Sequence, residues 1–156
     1  AADYLAGDPG NVMIMEMLAA SYGAMNMSME ALDTYEKLQT QTGSVYYAYR
    51  AASIQYAMKR YGECLATAEK IIQNPASDGM QIQINIDETQ HQQVPVKAAA
   101  YNLKGVVEKE MNQQEQAKAS FGEALKIFPE YVLAKGNLAS LQPEPAPAQN
   151  QKKTGK

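Results

Sequence analysis

The chain has 156 residues, 46% hydrophobic and 20% charged, the balance of one folded domain and not of a disordered segment. Fourteen basic against 17 acidic residues leave a net charge of −3, which argues against nucleic acid as the main partner, since phosphate binding needs a basic face. A single cysteine, Cys64, and a single histidine, His91, exclude an internal disulfide and a four-ligand Cys/His zinc cluster, and no apolar run reaches the roughly 18–20 residues of a membrane span.

In chain order, no charged or apolar leader follows Ala1, so no signal peptide is expected. Residues 1–11 read as the end of an earlier helix, because Pro9 stands 34 positions before Gly43. Leu18, Ala19, Tyr22 and Met25 fall at helical spacing along a first helix; Ala31, Leu32, Tyr35 and Leu38 repeat the stripe on a second. Ser28 is the predicted N-cap of that second helix and Gly43 its stop. Third and fourth helices are predicted over residues 44–58 and 61–73. Residues 80–87, MQIQINID, alternate strictly, with Met80, Ile82, Ile84 and Ile86 on one face. That period predicts a half-buried strand, and no partner strand is evident. A fifth helix over 95–111 takes Pro95 in its first turn. Asn112 and Glu115 predict a capping-box start to a sixth, which ends at Phe128 before Pro129. A seventh covers about 130–141, and the alternating prolines of residues 142–156 predict an extended or disordered tail. Short connections between these helices predict antiparallel neighbours.

The helices repeat. Met15, Leu18, Ala19, Tyr22, Ala31 and Tyr35 are followed 34 residues later by Tyr49, Ala52, Ser53 and Tyr56, after which a one-residue slip gives Cys64 and Ala68. A third match comprises Tyr101, Gly105, Ala117, Phe121 and Pro129, displaced by an insertion of about 18 residues that contains the strand. This pattern of helix pairs resembles the tetratricopeptide repeat (TPR) family, with Ala117 and Phe121 as its A-x3-F and Pro129 at its proline. The third unit departs from the family at Lys104 and Glu108, and the second is the most divergent. The resemblance implies an all-α solenoid of helix-turn-helix units over 12–44, 45–77 and 97–130, with an extended β-like insertion at 78–96 and a capping helix at 131–141. The incomplete start implies that further repeats or another domain precede these units. Ala31, Cys64 and Ala117 are expected where the helices of a unit come closest, and Tyr35 and Phe121 between units.

In that family the first helix of each pair lines a concave groove that binds a partner's peptide. By this register the groove candidates are Met13 and Glu16, then Tyr47, Arg50 and Ile54, then Asn102, Val106 and Lys109. Arg50 is expected to clamp a carboxylate and Asn102 to bond a peptide backbone. Members that clamp the C-termini of heat-shock chaperones place lysines and asparagines where Glu16 and Ala20 stand here, and an acid at that place repels a carboxylate. The inserted strand, through Ile82, Ile84 and Ile86, is expected to pack on its own helices or to pair with a partner or a second copy as a homodimer. The function expected is a non-catalytic protein-interaction module; the alternative is an assembly protein that homo-oligomerises through the strand.

Little else points to chemistry. Six methionines between Met13 and Met29 are soft donors of the kind that bind Cu(I), but Met13, Met15 and Met17 diverge around a helix. Core packing accounts for them better. Cys64 and His91 lack an oxyanion signature, with Cys64 expected in the core and His91 on a solvated loop. Asp87 with Glu88 and Glu108 with Glu110 lack a framing apolar pocket, and the GDPG run lacks the lysine of a phosphate loop. No enzyme, cofactor or metal is expected. The compartment stays open, since a chain without disulfides fits the cytoplasm and the bacterial envelope or periplasm alike.

Overall fold

The computed structural model describes residues 9–141. Seven helices and one hairpin follow in order: α1 (Pro9–Ala24), α2 (Ser28–Thr42), α3 (Val45–Ala57), α4 (Tyr61–Gln73), β1 (Gln81–Asn85), β2 (His91–Pro95), α5 (Val96–Glu110), α6 (Gln114–Ile127) and α7 (Val132–Ser140). Each helix packs on the next, so the pairs α1–α2, α3–α4 and α5–α6 also lean on one another, and α7 closes the row against α6. Such stacking is the expected solution for amphipathic pairs that cannot bury their apolar faces alone. Of the segment expected to end an earlier helix, residues 9–11 form the first turn of α1 and residues 1–8 lie outside the described chain, as does the tail 142–156.

The turn inside every pair contains one non-glycine residue in the left-handed region: Asn26 (φ 57°), Lys59 (φ 60°) and Asn112 (φ 59°). The buried small residues keep step with these turns: Ala19, Ala52 and Gly105 on the first helices, Ala31, Cys64 and Ala117 on the second. The first two units are therefore 33 residues apart throughout, and the expected 34-residue offset with a slip inside the second unit is corrected. The shorter step lies in the α2–α3 connection. There Gly43 takes φ 68°, returns its N–H to the Gln39 carbonyl at 2.8 Å and stops α2.

This register gives the units matching internal contacts. The Thr67 hydroxyl donates to Gln55 Oε1 at 2.8 Å, and 53 positions on the Ser120 hydroxyl donates to Glu108 Oε1. All four side chains are buried or half-buried between the helices of a pair, so each polar group is satisfied where water is scarce. Phe121 is fully buried, and its ring covers Gly105 of its own pair so closely that a Cβ there would stand 2.6 Å from Cε1. Phe121 thus joins the two helices of one unit, whereas Tyr35 does bridge units, stacking on Tyr47 with ring centroids 6.4 Å apart.

Several local expectations change. Neither Ser28 nor Asn112 caps a helix: α2 and α6 begin without a side-chain cap, and Asn112 occupies the left-handed turn instead. Ser44 does cap α3, its Oγ accepting from the Tyr46 N–H at 3.3 Å. On α1 the buried residue is Ala19, while Leu18 (43% exposed) faces outward, as does Met25 (59%) in the turn that follows.

The strand has a partner. β1 pairs antiparallel with β2, Ile82 opposite Val94 and Ile84 opposite Gln92. The sequence HQQVP conceals β2, because it is short, mostly polar and ends in Pro95, which sits before α5 and not in its first turn. His91 accordingly belongs to a strand and not to a loop. Ile82 and Val94 are buried in one cluster with Ile71 and Ile72 of α4, Val96 of α5 and Tyr131 just before α7, and Ile84 packs against its margin. Ile86 is half-buried. At the far edge the Gln92 amide donates to the Glu130 carbonyl at 2.6 Å and accepts from the Val132 N–H at 3.0 Å, so one side chain holds the α6–α7 connection as a strand neighbour would. The hairpin turn is fixed by Asp87 Oδ1, which accepts from the Thr89 N–H and hydroxyl and from the Gln90 N–H; these bonds hold its carboxyl below the usual range.

Candidate functional site

The first helices of the pairs stand side by side and are tied by polar contacts. Tyr47 Oη donates to Glu16 Oε2 at 3.5 Å between α3 and α1, and Asn137 Nδ2 donates to Asn102 Oδ1 at 2.9 Å between α7 and α5. Lys109 Nζ donates to Ser140 Oγ at 2.9 Å along the same seam. With the 33-residue register, the residues equivalent to Met13, Glu16 and Ala20 are Tyr46, Tyr49 and Ser53 on α3, then Ala99, Asn102 and Val106 on α5.

The sequence-derived candidates divide accordingly. Met13 is 62% exposed and Glu16 half-buried on the open wall of α1. Tyr47 is buried against α2, and Ile54 packs into the same cluster with Leu32, Tyr35 and Leu38. Both face the preceding unit instead of the inner wall. Burial, reinforced by Glu16, raises the Tyr47 phenol above its ordinary value. Arg50 is exposed, its guanidinium carbon 5.5 Å over the Tyr35 ring and Nη2 3.4 Å from Tyr35 Oη. None of the ion pairs among the described residues includes it. Asn102 is buried and engaged with Asn137, so the residue expected to bond a peptide backbone holds the terminal helix instead. Val106 and Lys109 are half-buried, Lys109 being bonded to Ser140 of α7. Tyr46, Tyr49 and Ser53 were missed because the 34-residue offset rotates α3 by one position; the 33-residue spacing of Ala31 and Cys64 was the signal that finds them.

The hairpin reshapes this wall. Ala99 and Asn102 are covered, and β1 stands across from α3. Between them lies a cleft of about 260 Å³ lined by Tyr46, Tyr49, Arg50 and Ser53 on one side and residues 82–85 on the other. Burial raises the Tyr49 phenol, with the Ser53 hydroxyl and the Arg50 charge opposing. A larger hollow of about 510 Å³ opens among α2, α3 and α4, lined by Glu36, Gln39, Thr40, Glu63, Thr67 and Lys70 among others. Within it the Thr67 hydroxyl is bonded to Gln55 and to the Glu63 carbonyl.

The residues weighed for catalysis are placed as follows in the fold. Cys64 is buried in the first turn of α4, whereas the strand bearing His91 packs against the last turn of that helix. Glu108 is bonded by Ser120 while Glu110 faces solvent. Among the described residues, no group of three or more His, Cys, Asp or Glu is placed to hold a metal ion. No helix among them is long and apolar enough to cross a membrane. Burial pushes the Cys64 thiol up from 9.0 to about 12, with the Tyr56 backbone opposing, and raises the phenols of Tyr49 and Tyr131. An unfolded chain releases these protons at lower pH than the folded one. Stability is therefore complete below about pH 9 and falls as pH rises toward 12. Urea midpoints at pH 8 and pH 11 measure this, and an unchanged midpoint contradicts it.

No family model matches the sequence, and no curated protein does. Solved structures do match. The first TPR domain of Spaghetti (RPAP3), bound to the HSP90 peptide SRMEEVD, superposes with a TM-score of 0.65 at 16% identity, over 86% of this chain and 92% of that one. The TPR domain of Arabidopsis OM64 gives 0.64 at 15% identity, over 84% and 93%. The N-terminal domain of stress-induced protein-1 from C. elegans gives 0.63 at 16% identity, over 81% and 91%. The fold is that of TPR domains, as the spacing of the small residues implied, with a β-hairpin added.

Proposed function

We propose that this chain is a non-catalytic protein-interaction module that binds a segment of a partner on the open wall formed by α1 and α3. The carrying observation is the cleft beside α3, which the exposed Arg50, in no ion pair among the described residues and with its guanidinium over Tyr35, lines together with Tyr46, Tyr49 and residues of β1. Structural neighbours of the same fold support the reading, one of them with a chaperone peptide bound. The mode here differs in detail from a C-terminal carboxylate clamp. Glu16 puts a negative charge on the α1 wall, and Asn102 is spent on Asn137. Random twelve-residue peptides displayed on phage and selected on the immobilised chain test the reading. Selected peptides should lose at least tenfold in affinity on Arg50→Glu, about 1.4 kcal/mol. Peptides that bind both proteins equally defeat it.

A second reading, assembly of copies of the chain, draws on α1. Ile14 (66% exposed), Met17 (65%) and Leu18 correspond at 33 residues to Tyr47, Arg50 and Ala51, which lie against α2. The same face of α1 is therefore built to be covered, and a second copy supplies such a cover. Light scattering should give a mass above one chain at high concentration, and one chain for Ile14→Glu combined with Met17→Glu. A monomer at every concentration overturns it.

A further inference from the structure

The hairpin gives the cleft a property that helical walls lack. The Val96 N–H donates to the Met80 carbonyl and the Ile86 N–H to the Gln90 carbonyl, each at 2.8 Å, so even-numbered residues of β1 turn their backbone groups toward β2. Gln81, Gln83 and Asn85 therefore direct N–H and C=O to the opposite edge. β2 and its Gln92 contacts occupy the α7 side, and residues 82–85 line the cleft together with α3, so this edge looks onto Tyr46, Tyr49, Arg50 and Ser53.

We infer that the partner segment binds as an added strand on the free edge of β1, lying over α3, and carries an acidic side chain that meets Arg50. The inference rests on the interaction reading above and states its mode. An added strand continues the pleat of β1. Its residues level with Ile82 and Ile84 point down beside Tyr46 and Tyr49, which pack against the same core, while the alternate residues face water with Gln81 and Gln83. The occupant is thus an extended segment of alternating apolar and polar residues with one carboxylate, because an anion matches a guanidinium that has Tyr35 but no carboxylate beside it among the described residues. A second copy joined edge to edge about a two-fold axis brings Arg50 toward Arg50 of the other chain, a like-charge contact. The chain's own end fits poorly: Pro143, Pro145 and Pro147 lack N–H groups, and Lys152, Lys153 and Lys156 carry the wrong sign.

The test compares two prolines in one hairpin. Gln83→Pro removes an N–H on the cleft edge, and Gln93→Pro removes one on the outer edge of β2; neither N–H belongs to the β1–β2 ladder, so both are tolerated as edge substitutions. The probes are the phage-selected twelve-residue peptides whose binding depends on Arg50. The expected result is at least a tenfold loss of affinity for Gln83→Pro, wild-type affinity for Gln93→Pro, and slowed amide exchange at Gln81, Gln83 and Asn85 in the peptide complex. Undiminished binding by Gln83→Pro, or equal losses for the two variants, overturns strand addition while dependence on Arg50 still upholds the groove. Selected peptides indifferent to Arg50→Glu sink both.

Discussion

Phe121→Ala destabilises the protein by about 3–5 kcal/mol, the cost of emptying a fully enclosed aromatic site. The ring has few ways to be replaced. It lies on the bare backbone of Gly105, between α5 and α6, and the surrounding helices are tied on both sides by further packing. A methyl group on Gly105 meets ring carbons at 2.6 and 2.7 Å, closer than any relaxed contact allows, so Gly105→Ala alone is also destabilising. The two substitutions occupy one space. Combined, they should cost less than the sum of their separate effects, because the new methyl group enters the volume the ring has left. Urea denaturation of the two single variants and the double variant measures this. A loss below 1 kcal/mol for Phe121→Ala, or strict additivity, contradicts the packing of this pair.

Ile82→Ala is the second large effect, roughly 2–5 kcal/mol. Ile82 enters the cluster shared by α4, α5, α6 and α7, and with Val94 it anchors the hairpin to the helices. Losing it loosens the cluster around Ala99 as well as the hairpin itself. Limited proteolysis should then cut within residues 78–96 well before the helices, and hydrogen exchange should quicken at the β1–β2 ladder. Ile86, half-buried near the turn, should cost less on the same substitution. Equal losses at both positions mean that the strand does not dock through Ile82.

The repeating helix pairs were readable because they follow from spacing: buried small residues at Ala31, Cys64 and Ala117 leave no other arrangement for their helices. The orientation of α3 was harder to read. Its sequence VYYAYRAASIQYA offers tyrosines at Tyr46, Tyr47 and Tyr49, so an error of one residue still yields an acceptable aromatic stripe. Only the small residue that must face the partner helix, Ala52 and not Ser53, fixes the rotation. β2 was invisible for a different reason. Its pairing is non-local, and one buried valine among polar neighbours carries no period. The engagement of Asn102 by Asn137 likewise depends on how α7 lands, which a pattern along α5 does not encode.

A row of stacked modules ordinarily frays from its ends, since each member is held only by its neighbour. Gln92 alters that rule. By grasping the backbone on both sides of Tyr131, a splice placed in the middle of the chain fastens the start of α7, so the two should come loose together. A ligand that steadied the inserted ribbon would therefore also steady the start of α7, and hydrogen exchange there would report its presence.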